Sequence, residues 1–137
     1  MAHPLAVTDT HALIWYSAEQ YRRLGRAALD HFRRTDAGQA VVYVPTIALA
    51  EVSELRHKGR IDLNGGTFEA WLAGLLGSKT YIPLDLTAEM VEAANQLFAI
   101  PERGDRLIAA AAKVREWPLL TRDPEIAAAA QIHCVWD

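Results

Sequence analysis

Short apolar runs alternate with amphipathic segments along the whole chain, and this alternation is the feature that most constrains its fold. Runs with the composition of buried strands occur at 5–8, 40–44, 80–84, 118–121 and 132–136. The segments between them carry apolar residues at intervals of three and four, which is typical of helices. Strands separated by helices need crossover connections, and these give a mainly parallel sheet that is covered on both faces. The sequence therefore predicts an α/β protein, a three-layer α/β/α sandwich with a mainly parallel central sheet.

Local signals predict several helix boundaries. Pro45 suits the first turn of a helix and Gly59 suits its end, which predicts a helix from 45 to about 58. Apolar stripes predict two further helices, at 67–76 and 87–98, with their apolar residues mostly in the core. An alanine-rich helix is predicted at 105–115. In the helix at 87–98, the residues predicted to face inward are Met90, Val91, Ala94, Leu97 and Phe98.

Four acidic residues stand out by position: Asp9, Glu51, Asp105 and Asp123. Asp9 follows the first predicted strand and Asp123 follows the fourth. Ligands of parallel sheets bind outside the carboxyl ends of the strands, so we expect both residues to face one crevice. Helix capping is a second explanation for Asp9 and Asp105, because a carboxylate at a helix start accepts backbone N–H bonds. Capping is stronger still for Asp123, which is followed by Pro124, a common residue at the first helical position.

Glu51 differs from the other three acids because it lies inside a predicted helix, where capping cannot explain it. Its neighbours on the same side of that helix are apolar, namely Ile47, Ala48, Val52 and Leu55. Glu54 lies on a more polar side, near His57 and Lys58. An ionised carboxylate in an apolar stripe is costly unless a cation or several donors hold it. The sequence therefore predicts a functional role for Glu51.

Carboxylates without histidine or cysteine companions favour one kind of metal site. Oxygen donors are the ligands that Mg²⁺ and Mn²⁺ prefer. His11 lies near Asp9, but no second histidine shares a metal-like spacing with it, so a structural role is the simpler explanation for His11. If the four acids meet in space, we expect a site for Mg²⁺ or Mn²⁺ formed by Asp9, Glu51, Asp105 and Asp123.

The charge balance limits a nucleic-acid partner without excluding one. The formal net charge is −3, and two bound divalent cations would make it positive. Most of the 14 basic residues are arginines, which suit forked contacts with phosphate. They gather at 22–26, 33–34, 56–60 and 103–106, although a solvated helix surface is the simpler explanation of any single run. RNA is compatible with this distribution, whereas tight, unselective duplex binding is not expected.

Length and composition indicate an ordinary globular chain. With 137 residues and 51% hydrophobic content, we expect a single domain over residues 1–137. No stretch approaches the roughly 18 uninterrupted apolar residues of a membrane span, so we expect no membrane partner. The lone Cys134 cannot form an internal disulfide, which suits a reducing compartment. We therefore expect a cytoplasmic protein.

Four segments resemble, in order, the acidic motifs of a known family. Residues 8–15, TDTHALIW, resemble the opening strand and turn of PIN-domain nucleases, especially the VapC-type toxins of bacterial toxin–antitoxin pairs. Segments 47–52, 104–112 and 118–123 resemble the second, third and fourth motifs, so the similarity spans essentially the whole chain. One departure lies at 100–106, IPERGDR, where many relatives carry His-x-Asp-Pro-x-Asp-Arg. Glu102 replaces the earlier aspartate of that pattern, and its role at the site stays open.

The resemblance implies a metal-dependent endoribonuclease that uses an activated water and leaves a 5′-phosphate and a 3′-hydroxyl. It implies Asp9 and Asp105 as direct ligands of Mg²⁺ or Mn²⁺, with Glu51 and Asp123 completing the acidic pocket. The RNA would be single-stranded or looped, splayed over basic and aromatic side chains. The resemblance also implies a homodimer and an antitoxin partner that bind through surface helices. An arginine of that antitoxin would be a natural counter-ion for the carboxylates.

Two other functions are compatible with parts of the pattern. A non-catalytic RNA-binding or adaptor PIN domain would share the fold but would not bind the metal. A phosphoryl-accepting signalling domain also places Asp after a first strand, but it needs a paired acid there, whereas Asp9 is flanked by Thr8 and Thr10. Some residues beside the candidate ligands have roles left open between local capping or charge balance and direct contact with the site, namely Thr10, Thr121, Arg106 and Arg122.

Overall fold

The structure, a computed structural model, describes residues 4–137. In this range five strands form: β1 (Leu5–Thr8), β2 (Val41–Pro45), β3 (Tyr81–Leu84), β4 (Leu119–Leu120) and β5 (Cys134–Val135). Seven α-helices occur in the same range: α1 (Thr10–Ser17), α2 (Arg26–Asp36), α3 (Thr46–His57), α4 (Phe68–Gly77), α5 (Ala88–Ala94), α6 (Arg103–Arg115) and α7 (Pro124–Ala130). A 3-10 helix, Tyr21–Arg23, follows α1. Every helix described between residues 4 and 137 is too short or too polar to cross a lipid bilayer.

All five described strands pair in parallel, in the order β3-β2-β1-β4-β5. The register pairs Leu5 with Val41 on one side of β1 and Val7 with Leu119 on the other. The chain builds the sheet outward from β1 in one direction and then returns to add β4 on its other side. The carboxyl ends of β1 and β4 therefore flank the point where the strand order reverses, which is where such sheets bind ligands.

Alternate residues of a strand point to opposite faces of the sheet, and helices cover both faces. One face packs strand residues against α1 and α2, and the core there includes Ala6, Val42, Val44, Leu120, Leu13 and Phe32. The other face packs strand residues against α5 and α6, and its core includes Val7, Leu84, Leu119, Met90 and Ile108. The predicted three-layer α/β/α sandwich with a parallel sheet is confirmed.

The helix predicted at 87–98 is shorter than its apolar stripe. It ends at Ala94, and the chain then tightens into turns in which the Leu97 N–H donates to the Ala94 carbonyl at 2.9 Å. Leu97 stays in the core, but the turn rotates Phe98 outward. The prediction that Val91 and Phe98 face inward is wrong, since their exposed fractions are 50% and 65%.

Helix α4 is also more exposed than predicted. No residue of α4 is fully buried, and the exposed fraction of Leu76 is 49%. The helix lies beside the edge strand β3, where Trp71 and Leu75 are only partly buried against the core. The prediction that residues 67–76 lie mostly in the core is therefore wrong, because a helix at the sheet edge has a core on one side only.

Candidate active site

Asp9 follows β1 at the carboxyl edge of the sheet and is the N-cap of α1. Its Oδ1 accepts a hydrogen bond from the backbone N–H of Ala12 at 2.8 Å. Burial raises the pKa of Asp9 above its ordinary value, and the Ala12 bond opposes that rise. Nearby Thr121, His11 and Arg122 lower the same pKa. The capping prediction for Asp9 is confirmed, and its carboxylate lies at the edge where the strand order reverses.

Glu51 lies in the middle of α3, between α1 and α6. Its Oε1 accepts a hydrogen bond from the Thr10 hydroxyl at 2.6 Å. The carboxylate also lies against Gly104, where an added methyl group would be 2.7 Å from Cδ of Glu51. Burial raises the pKa of Glu51, and the Thr10 bond lowers it. The charges of Glu102 and Asp9 raise the same pKa further, so ionised Glu51 has acids as neighbours.

Asp105 belongs to the first turn of α6, which begins at Arg103, two residues before the predicted start. Glu102 caps this helix, since its two carboxylate oxygens accept from the N–H groups of Gly104 and Asp105 at 3.1 and 2.7 Å. Capping is therefore wrong as an explanation for Asp105. Burial raises the pKa of Asp105 to about 7, together with the negative charges of Glu102, Asp9 and Glu51.

The structure brings together Asp9, Glu51 and Asp105, three acids that are far apart in the sequence. They come from the ends of β1, the middle of α3 and the start of α6, and Glu102 adds a fourth charge beside them. Like charges in a partly buried site disfavour the ionised form, which is why carboxyls bind protons more tightly there. Their role as metal ligands stays a prediction, but their mutual influence is a property of the fold.

Asp123 makes different contacts from the other three acids. It N-caps α7, with its Oδ1 accepting from the Glu125 N–H at 2.9 Å, and its side chain is exposed. Its own N–H donates to the Thr121 hydroxyl at 3.3 Å. Its charge acts on the Cys134 thiol, whose pKa is raised chiefly by burial. The capping prediction for Asp123 is confirmed, and its place in a metal site stays a prediction.

The two arginines beside candidate ligands have different surroundings. Arg106 is held against the loop before α6, because its Nη1 donates to two backbone carbonyls there at 2.9 and 3.2 Å. Arg122 lies over the ring of Trp15, with its Cζ 5.1 Å from the ring centroid. The charge of Arg122 also lowers the pKa of Asp9. Of these two, Arg122 is the arginine placed to act on the acidic site.

Gly104 is the site residue that sequence reasoning missed. Its missing side chain makes room for the Glu51 carboxylate against α6. Glycine inside a helix costs about 1 kcal/mol of stability relative to alanine, so its presence in a first turn calls for a reason. A glycine at this place, one residue before a candidate ligand, is the signal that could have pointed to a close approach.

The chemistry of the donors fits a divalent cation. In the described range 4–137, no three His, Cys, Asp or Glu side chains are already gathered as a bound metal ion requires. The neighbouring groups are nevertheless carboxylates whose pKa values are raised partly by one another, and a cation would relieve that repulsion. Carboxylate oxygens are also the donors that Mg²⁺ and Mn²⁺ prefer. Asp9, Glu51 and Asp105 are therefore the candidate ligands for such an ion.

Solved structures with the same fold come from several bacteria. A chain of VapBC2 from Rickettsia felis, bound to a fragment of its promoter DNA, has a TM-score of 0.72 at 16% identity, covering 97% of this chain and 99% of that one. A chain of FitAcB from Neisseria gonorrhoeae has a TM-score of 0.59 at 19% identity, with 96% of each chain covered. A toxin–antitoxin complex from Klebsiella pneumoniae gives 0.57 at 18% identity, with 90% of each chain covered. At these identities the likeness shows a shared fold.

Sequence comparison identifies the family. No curated protein matches the chain. The PIN domain family matches residues 6–132, which include most of β1, the three neighbouring acids Asp9, Glu51 and Asp105, and the α7 cap Asp123. This match covers nearly the whole chain, and it agrees with the sheet order and with the fold shared by the solved structures. The chain belongs to the PIN domain family.

Proposed function

We propose that this protein is a metal-dependent endoribonuclease that acts as the toxin of a toxin–antitoxin pair, and that residues 1–137 form one PIN domain. The observation that carries the proposal is the group of Asp9, Glu51 and Asp105 at the reversal point of the sheet, with raised pKa values. Acids whose pKa values are raised at such a crevice are typical of functional sites. Membership of the PIN domain family supports nuclease chemistry in particular.

Asp9 and Asp105 are the proposed direct ligands of Mg²⁺ or Mn²⁺, and Glu51 and Asp123 complete the acidic pocket. A divalent ion at such a site stabilises developing charge on the phosphodiester and supplies a more acidic water. The protein's own residues hold these carboxylates in position. The Ala12 N–H orients Asp9 at 2.8 Å, and the Thr10 hydroxyl orients Glu51 at 2.6 Å. Glu102 caps α6 and so fixes the helix that carries Asp105.

The proposed substrate is single-stranded or looped RNA. Unpaired bases can be splayed out and stacked on aromatic rings or guanidinium planes, which a paired duplex does not allow. Arg122, whose charge acts on Asp9, and Arg23 provide positive charge for the RNA backbone, and both lie over the ring of Trp15. Hydrolysis would leave a 5′-phosphate and a 3′-hydroxyl. A lone cysteine without a disulfide supports action in the cytoplasm.

The proposed protein partner is a cognate antitoxin. Three of the structural neighbours are described as VapBC2, FitAB bound to DNA and a toxin–antitoxin complex. The half-exposed apolar residues of α4, including Trp71 and Leu76, offer a surface for an apolar partner segment. A partner arginine inserted among Asp9, Glu51 and Asp105 would neutralise their repulsion and block the site.

A homodimer is the second proposed assembly. Three apolar side chains near α5 are exposed, Leu86 by 41%, Val91 by 50% and Phe98 by 65%, around a cavity of about 590 Å³. Exposed apolar patches of this kind mark association surfaces. Val91→Glu should convert a dimer to a monomer in sedimentation equilibrium, while Leu76→Glu on α4 should leave the dimer intact. A wild-type protein that sediments as a monomer at micromolar concentration contradicts this assembly.

The catalytic proposal is tested by removing single charges from the site. Asp9→Asn and Asp105→Asn should each lower Mg²⁺-dependent cleavage of single-stranded RNA by at least about 100-fold, since even outer-shell changes cost about 10–100-fold. Circular dichroism should show that both variants stay folded. Full cleavage by both variants contradicts the assignment. A wild-type protein that binds RNA but neither Mn²⁺ nor Mg²⁺ would instead be a non-catalytic RNA-binding PIN domain.

A further inference from the structure

A cavity of about 540 Å³ lies beside α1, between its outer side and the loop that follows α3. Its volume lies within the usual range of about 300–1,000 Å³ for small-ligand sites. The side chains that matter for its chemistry are His11, Trp15, Gln20, Arg23, Arg60 and Asp62. We call this cavity the arginine pocket, after Arg23 and Arg60.

The arginine pocket is next to the acidic site. His11 lines the pocket and lies two residues after Asp9, in the first turn of α1. His11 also acts electrostatically on both Asp9 and Glu51. Arg122 also lies over the Trp15 ring and acts on Asp9. An RNA strand that crosses the acidic site would therefore reach the arginine pocket within about a nucleotide or two.

Trp15 fixes the orientation of one pocket arginine. The Cζ of Arg23 lies 5.4 Å from the centroid of the Trp15 ring, and Trp15 is 8% exposed. The edge of Trp136 packs against the same ring, with centroids 6.2 Å apart. A guanidinium held on a buried aromatic ring loses less conformational freedom when it binds a ligand. Arg23 is therefore a preorganised donor for a phosphate and a flat surface for a base.

The charge of the pocket selects an anion. Arg23 and Arg60 outweigh Asp62, whose Oδ1 already accepts the Gly65 N–H at 2.8 Å. A second cavity, of about 500 Å³, lies on the opposite side of α1 and is lined by Glu19, Asp36 and four aromatic residues, with no basic side chain among its described lining residues. A polyanion is attracted to the first cavity and repelled by the second. The two sides of α1 thus differ in the ligand they accept.

We infer that the arginine pocket binds one nucleotide of single-stranded RNA next to the phosphodiester that is cut. Arg23 and Arg60 contact its phosphate, the imidazole of His11 provides a stacking surface for the base, and Gln20 offers amide groups to the base edge. This inference rests on the proposed ribonuclease function, since it names a binding site for the same substrate. The pocket adds positively charged side chains along the course of the RNA strand, which the acids themselves do not provide.

Binding and kinetics of arginine variants test the pocket. We expect Arg23→Gln and Arg60→Gln each to raise the Kd for a labelled single-stranded RNA about 5–10-fold in fluorescence anisotropy with EDTA present. Each should also reduce the slope of log Kd against log salt by about 0.7, the value for one phosphate contact on a single strand. With Mg²⁺, KM should rise to a similar degree while kcat stays within about twofold. The matched control is Arg115→Gln, an exposed arginine at the far end of α6, which should change none of these values.

The outcomes separate the pocket from the ribonuclease proposal. If the wild type cleaves RNA and the two pocket variants bind and cleave like it, the pocket inference is wrong and the ribonuclease proposal stands. Equally large losses of RNA affinity in Arg115→Gln would also overturn the pocket inference, because they would show that the RNA is attracted by arginines in general. If the wild type does not cleave, anisotropy still decides the pocket. Arg23→Gln removes a contact with Trp15, so a folding defect there leaves the exposed Arg60→Gln as the deciding variant.

Discussion

Glu51 and Glu54 lie one helical turn apart on α3, and their surroundings are opposite. Glu51 points towards α1 and α6, where burial and neighbouring carboxylates raise its pKa. Glu54 points to solvent, where the ammonium group of Lys58 lies 2.9 Å from its Oε1 and lowers its pKa. Ionisation is therefore disfavoured at one position and favoured at the other, although the residue type and the helix are the same.

The difference shows which glutamate of α3 is placed for chemistry. At the surface a carboxylate is already hydrated, and an ion pair with a flexible lysine adds little. At the sheet edge Glu51 receives one hydroxyl donor from Thr10 but faces the charges of Asp9 and Glu102. Folds that keep unfavourable charges in such places do so mostly at functional sites. Glu51 is therefore the glutamate of α3 whose ionisation a bound cation would favour most.

The largest difference in RNA cleavage is expected between the variants that neutralise Glu51 and Glu54 one at a time. Glu51→Gln should lower Mg²⁺-dependent RNA cleavage about 10–100-fold, because it removes one charge from the acidic site. Glu54→Gln should stay within about twofold of the wild type. Initial rates on one RNA oligonucleotide measure both. Equal activities of the two variants would remove the functional distinction between the two glutamates.

A methyl group at Gly104 should disturb Glu51 without touching Glu54. Gly104→Ala would push against the Glu51 carboxylate, whose Cδ lies 2.7 Å from the added group, and the flexible side chain should move away. We expect about a 10-fold loss of cleavage with a folded protein. In a Glu51→Gln background the same change should cost much less, because the two sites are coupled. Additive losses in this double-mutant cycle would show that Gly104 acts by another route.

The pH dependence of stability should reveal the combined effect of burial and of repulsion among the acids. Asp105 has a pKa of about 7 in the fold and an ordinary value of 3.8, so its own contribution to stability is most favourable below about pH 4 and is lost as pH rises through 7. Asp105→Asn avoids this loss, by about 1 kcal/mol after allowing for solvent screening of a half-exposed group.

Thermal unfolding in EDTA measures that gain. The melting temperature of Asp105→Asn should exceed that of the wild type by about 4 °C at pH 8, and the difference should shrink towards pH 4.5. Asp9 and Glu51 have pKa values raised in the same direction, so they add to the trend in the wild type. An Asp105→Asn protein that is less stable than the wild type at pH 8 would contradict the claim that ionised Asp105 destabilises the fold.

The smallest effect is expected at the exposed ion pair. Glu54→Gln breaks the contact with Lys58, but both side chains are mostly exposed and the pair lies on the helix surface. Its melting temperature should change by less than about 1 °C in 0.15 M salt, because exposed pairs of this kind are screened. A shift as large as that of Asp105→Asn would mean that the charge of Glu54 affects stability as strongly as that of Asp105.

Much of the fold could be predicted because the alternation of strands and helices is a local pattern. The end of α5 could not, because it depends on tertiary packing. Leu97 and Ile100 enter a cluster with Ala109 and Ala110 of α6, and this packing draws the chain into turns after Ala94. The apolar stripe alone favoured a longer helix, and Phe98 was misplaced for that reason.

The candidate site, like the fold, could be predicted only in part from the sequence. Glu51 could be singled out because its apolar neighbours lie in the same helix. Its partner Thr10 lies 41 residues earlier, and no local pattern contains that contact. Cap preferences favour aspartate over glutamate, so they pointed to Asp105, whereas the longer side chain of Glu102 reaches two N–H groups of α6.

Calorimetric titration with Mn²⁺ near pH 7 tests the central claim most directly, that Asp9, Glu51 and Asp105 form one cation site. Carboxyls that hold protons near neutral pH must release them to a metal, so heats in two buffers of different ionisation enthalpy should show net proton release. Affinity should fall at least about 10-fold in Glu51→Gln, with little loss of stability, and stay unchanged in Glu54→Gln. No Mn²⁺ binding by the wild type, or the same affinity in all three proteins, would contradict the account.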